Sequence, residues 1–167
     1  AIRDSLLAVS GRLDTRLYGR PINPARSAED AKKRLFSGPL DGDGRRSLYL
    51  EMSIMQPPEF LVGFNLPDLK LPTGKRDETN VPAQALTMLN DPFVNAMAAY
   101  WADRLIETRC SDAGDRIGDM FVSALGREPS DAELTRWKTA VREFADDGND
   151  LMTDREAWTA IAHALFN

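Results

Sequence analysis

KRDETNVPAQALTMLNDPFVNAMAAYW, residues 75–101, decides how the rest of the chain is read. Pro82 suits the first turn of a helix, where its missing N–H has no intrahelical partner to lose. Asn80 or Thr79 before it can accept hydrogen bonds from the orphan amides. Ala83, Gln84, Ala85, Leu86, Met88 and Leu89 then favour helix, until Asn90-Asp91-Pro92 interrupts them, because proline disfavours helical geometry in the preceding residue. The same tripeptide restarts the helix with Asp91 as N-cap and Pro92 as first residue. Phe93, Met97, Trp101 and Leu105 recur on one face to about Glu107. The stretch is therefore expected to form two helices meeting at a corner, with Arg76, Thr79 and Gln84 beside it.

Downstream the helical signal is clear. Ile117, Met120, Phe121, Ala124 and Leu125 follow amphipathic spacing, and Gly126 suits a left-handed cap. Ser130 with Glu133 forms a capping box ahead of the stripe Leu134, Trp137, Val141 and Phe144. A last helix near residues 153–166 should bury Trp158, Ile161, Ala162, Leu165 and Phe166. Tryptophans on three separate helices point to one shared core.

Upstream, Ile2, Leu6, Val9 and Leu13 predict a helix from residue 2 to about Tyr18, weakened by Gly11. Residues 19–44 are rich in proline, glycine and serine, with residues 27–36 suggesting a short helix capped by Ser27. Asp41-Gly42-Asp43-Gly44 reads as a turn and residues 46–51 as a short strand. Pro57-Pro58 opens a brief helix over residues 59–64. A long loop over residues 65–80 follows, with Leu66, Leu69 and Leu71 as apolar handles for wrapping the core. The expected fold is mainly α: a single-domain helical bundle over residues 1–167, with long ordered loops and room for one short strand or hairpin.

The 167 residues, 43% hydrophobic and 28% charged, suit one globular domain with a sizeable core. A net charge of -5 disfavours nucleic acid or an anionic membrane surface as partner. No apolar run is long enough for membrane insertion. The single cysteine, Cys110, excludes an intrachain disulfide. Helical periodicity running from Ile2 without a cap or methionine before it fits a piece cut from a longer chain.

No catalytic constellation is recognisable, so an enzymatic role is left open. There is no glycine-rich phosphate loop, nucleophile elbow or haem-attachment motif. Asp41, Asp43 and Glu51 fail as a calcium loop, since Arg45 and Met52 stand where oxygen ligands are needed. His163 is the only histidine and has no ligand cluster at metal spacing. No metal and no cofactor is expected. Arg76, Thr79, Gln84 and Asn90 are the ligand-binding candidates: a guanidinium fork for an anionic or sugar ligand, with amide contacts beside it. A structural role explains the same residues more simply, with Arg76 tethering the loop, Thr79 capping and Asn90 turning the corner.

Arg76, Thr79, Gln84-Ala85-Leu86, Leu89-Asn90 and Phe93, with RRSLYL at residues 45–50, Phe64, Pro67, LGREPSDAE at residues 125–133 and the opening AIRDSLLAVSGRLD, together resemble one known family. It is the C-terminal domain of unknown function of large planctomycete proteins that often also carry a cytochrome c-like domain. Phe64-Asn65 replaces the family's usual Phe-Asp, and Thr73 its usual cysteine. The resemblance implies an exported or periplasmic, multi-domain parent and brings no established activity. Two functions follow as expectations. A non-catalytic structural or interaction module, docking onto other domains of the parent, would expose apolar patches and lack a deep polar pocket. A carbohydrate-binding or hydrolytic contribution to a site shared with an upstream domain, with polysaccharide as partner, would place Arg76 and its neighbours with Trp101 or Tyr100 in a cleft.

Overall fold

The computed structural model describes residues 2–72, 74, 81–146, 148 and 150–167. Among them are seven α-helices and no strand: α1 Ile2–Val9, α2 Glu59–Gly63, α3 Pro82–Asn90, α4 Pro92–Glu107, α5 Ala113–Leu125, α6 Asp131–Phe144 and α7 Arg155–Phe166.

Helix α4 is central because its sequence is apolar on more than one side. Phe93, Val94, Met97, Ala98, Trp101, Ala102 and Leu105 are all buried along it. One face meets α7 and α5, where Trp101, Ile117, Met120, Phe121, Trp158 and Ile161 share a core with Val141 of α6. The other packs under α1, where Leu6 and Leu7 meet Phe93, Val94 and Met97. Phe166 touches both clusters and stacks on Trp101 at 5.2 Å between ring centroids. Each fully buried large side chain stabilises the fold by about 1.5–3 kcal/mol.

The helix boundaries follow local chemistry. Asp91 accepts from the Phe93 amide at 2.8 Å, as expected of an N-cap ahead of Pro92. Ser130 and Glu133 form the expected capping box, and Gly126 takes the left-handed cap after α5. Trp137 packs against the core that holds Trp101 and Trp158, so the three tryptophans do share it. Phe144 departs from expectation: as the last residue of α6 it lies past the edge of the core and is half-exposed.

Other expectations fail for identifiable reasons. Helix α1 stops at Val9 rather than Tyr18. Gly11 adopts φ 77°, and the Arg12 and Gly11 amides return to the carbonyls of Leu7 and Ala8, the hydrogen-bond pattern of a Schellman cap. The helix expected over residues 27–36 is only a 3₁₀ turn, Ala31–Lys33, capped by Asp30 and closed by Arg34 in left-handed geometry. The expected strand over residues 46–51 is replaced by a 3₁₀ turn, Ser47–Tyr49, between two isolated parallel bridges, Asp14 with Arg45 and Ile22 with Leu50. Asp4 forces that turn by accepting from both the amide and the hydroxyl of Ser47. Leu69 and Leu71 point to solvent instead of wrapping the core.

Candidate functional site

Of the four candidate residues, Arg76 and Thr79 lie outside the described residues, as does Asn80. The first helical residue is Pro82 as expected, but the cap position before it falls on Val81, which has no side-chain acceptor. The Gln84 side-chain carbonyl lies 3.5 Å from the Val81 amide. Asn90 donates to Leu86 O at 3.1 Å within its own helix. Six residues of helix set these two side chains roughly 120° apart around the axis, so they face different directions. Trp101 is fully buried, and Tyr100 is half-exposed beneath the Arg12 guanidinium, 4.7 Å from its ring centroid.

The densest polar arrangement lies elsewhere, where α1 meets the irregular chain over residues 12–50. Arg3 is 5% exposed; its guanidinium donates to Arg45 O at 2.8 Å and Asp41 O at 2.7 Å and lies 5.3 Å from the centroid of Phe93. Burial pulls its pKa below the usual arginine value, opposed by the nearby charges of Asp4 and Asp41. An arginine remains charged even so. Arg12 donates through Nε and Nη2 to one Asp41 oxygen, at 3.0 and 2.6 Å. The other Asp41 oxygen accepts from the Asp43 amide, so this carboxylate is a turn-former clamped by arginine. No group of three or more His, Cys, Asp or Glu side chains among the described residues is placed to hold a metal ion.

Arg45 continues the network. It is 6% exposed, donates to the carbonyls of Arg16 and Tyr18, and lies 4.1 Å from the centroid of Tyr49. Asp14 stands 3.6 Å from it and accepts from the Arg16 side chain and amide, bonds that lower the Asp14 pKa to about 2. Three arginines thus replace the hydrophobic packing that a segment so poor in regular structure cannot supply.

Beside Arg3 opens a cavity of about 290 Å³ walled by Pro24, Pro39, Leu50, Pro58, Phe60, Pro92 and Phe93, with Arg26, Glu59 and Asp91 also lining it. Arg26 is committed to the carbonyls of Gln56 and Phe36, and Asp91 to capping α4. The cavity is apolar with its charged groups largely engaged in the fold, and it holds no nucleophile beside a base. His163 lies in the last turn of α7, its Nε2 shielded from solvent and without a hydrogen-bond partner among the described residues. Sequence reasoning missed the arginine network because its partners are 27–42 residues apart and several are backbone carbonyls, which no residue motif records.

No curated protein and no solved structure matches the chain. The family model described as PSD1, protein of unknown function (DUF1553), matches residues 1–141, a span that holds the whole arginine network and reaches into α6. With that span covering most of its length, the chain belongs to the PSD1 (DUF1553) family.

Proposed function

We propose that this domain is a non-catalytic interaction module that docks onto other domains of a large, exported, multi-domain protein of the planctomycete kind its sequence resembles. The observation that supports this reading is α3: none of its nine residues is buried, although the helix carries Leu86, which is 58% exposed, and Leu89. Val62, Leu69, Leu71 and Val81, which precede it in the chain, are exposed as well. A short helix draws its stability from apolar contacts, and within its own domain this one has only the partly buried Met88 against the α1 and α4 cluster. Pro82–Asn90 carries no charged residue, so its exposed Leu86 and Leu89 have the composition of a contact surface.

The test is calorimetric titration of this chain against the separately produced remainder of its parent polypeptide. Association is expected, and the double variant Leu86→Ser, Leu89→Ser should weaken it at least tenfold, about 1.4 kcal/mol, while leaving the melting temperature unchanged. Absence of association, or association indifferent to the double variant, would contradict the reading. Fractionation of cells that make the parent protein tests the export part, with recovery outside the cytoplasm as the expected result.

A further inference from the structure

We infer that the surface basin around Tyr18 is a binding site for an anionic sugar, a pyranose carrying a carboxylate or sulfate. The inference is independent of the docking surface on α3. The basin encloses about 370 Å³ and is formed by Arg16, Tyr18, Gly19, Arg20, Ile22 and Arg45 with Leu17 at its edge. Three guanidinium groups stand there against one carboxylate, Asp14, which leaves two positive charges on a protein whose net charge is -5. Arg45 is a fixed charge beneath the surface, with both terminal nitrogens on carbonyls. Arg16 spends Nε and Nη2 on Asp14. Arg20 makes no hydrogen bond or ion pair among the described residues, so its whole fork is open to an oxyanion.

Tyr18 supplies the second half of the chemistry. It is 81% exposed and sits at φ 64°, a left-handed conformation that a side chain with a Cβ disfavours. The strain is held from both sides: the Tyr18 amide donates to the Tyr49 hydroxyl at 2.7 Å, and its carbonyl accepts from Arg45. Strain sustained by surrounding structure, for a side chain that buries nothing, points to a purpose in presenting that side chain. An exposed aromatic ring on a backbone held at both its amide and its carbonyl, next to a guanidinium, suits the flat C–H face of a sugar ring with its acidic group alongside. An acidic peptide fits less well, because the basin is open, with Leu17 and Ile22 its only aliphatic lining and no deep apolar hole for an anchoring side chain.

The experiment titrates the chain at low ionic strength with tetragalacturonate, its neutral methyl ester, a heparin-derived sulfated tetrasaccharide and tetraglutamate. Binding of the uronate, the sulfated sugar or both is expected, and which one binds identifies the acid; the ester and tetraglutamate should bind at least tenfold more weakly. Arg20→Ala should weaken the bound sugar by about tenfold or more, the worth of a charge-assisted contact. Tyr18→Gly should weaken it too without lowering the melting temperature, since glycine adopts positive φ freely. Leu86→Ser should leave sugar binding intact. No binding of either acidic sugar, equal binding of tetraglutamate, or sugar binding unchanged in both Arg20→Ala and Tyr18→Gly would each overturn the inference.

Discussion

Arg3 joins α1 to a segment about forty residues away by donating to two backbone carbonyls, Arg45 O and Asp41 O. Arg3→Met keeps most of the volume but strands Arg45 O and leaves Asp41 O with the Gly44 amide alone, so a loss of about 2 kcal/mol is expected in urea unfolding. Arg3→Lys should recover little, because one ammonium cannot reproduce a planar fork aimed at two oxygens. Gly44 is equally constrained: it sits at φ 71°, and a Cβ there would lie 2.0 Å from Arg12 O. Gly44→Ala should therefore cost about 3 kcal/mol, the sum of left-handed strain and a backbone clash. Asp14 sets an acid limit. Its folded-state pKa is depressed to about 2 by hydrogen bonds from Arg16, while an unfolded aspartate titrates near 3.9, roughly two units higher. On acidification the unfolded chain takes up that proton first, so the stability Asp14 contributes is intact above about pH 4 and is lost as pH falls through about 2. NMR titration of its carboxyl carbon checks the value, and Asp14→Asn should flatten that part of the acid unfolding profile.

Elements differ in how far they depend on the core. Trp158 of α7 is fully buried and its indole N–H donates to Leu151 O at 2.8 Å. Trp158→Ala should cost about 4 kcal/mol in denaturant unfolding, whereas Leu86→Ala on α3 should change stability by less than about 0.5 kcal/mol. The periodic helices were legible in the sequence because caps and spacing act locally: Asp91-Pro92, Ser130 with Glu133, and Gly126 each do their work within one turn. The first sixty residues were not legible in the same way. Gly11 ends a helix whose apolar spacing continues to Leu13, and Asp4 reaches 43 residues along the chain to bend what reads as a strand at Ser47. The candidate site shared that limit. Gln84 and Asn90 belong to one motif yet point apart on α3, while the arginines that converge carry only a weak local signal.

At the scale of the whole molecule, two apolar clusters meet along α4, and the least regular third of the chain is held to them by guanidinium groups. The family match ends at residue 141, yet α7 beyond it supplies Trp158, Ile161 and Ala162 to the main core, so the folding unit extends past the matched span. Removing residues 151–167 should accordingly unfold α4 and α5 rather than leave a smaller native domain, a loss that circular dichroism would register as a drop in helicity greater than the deleted helix accounts for. Helix α3 joins this arrangement only at its margin, through the partly buried Met88, and contributes no fully buried residue to either cluster. The most direct test of its proposed role is hydrogen–deuterium exchange, comparing this chain alone with the same chain inside its intact parent protein. Added protection is expected over Pro82–Asn90 in the parent, with the amides of α4 and α7 exchanging alike in both. Identical exchange over Pro82–Asn90 in the two would contradict that role.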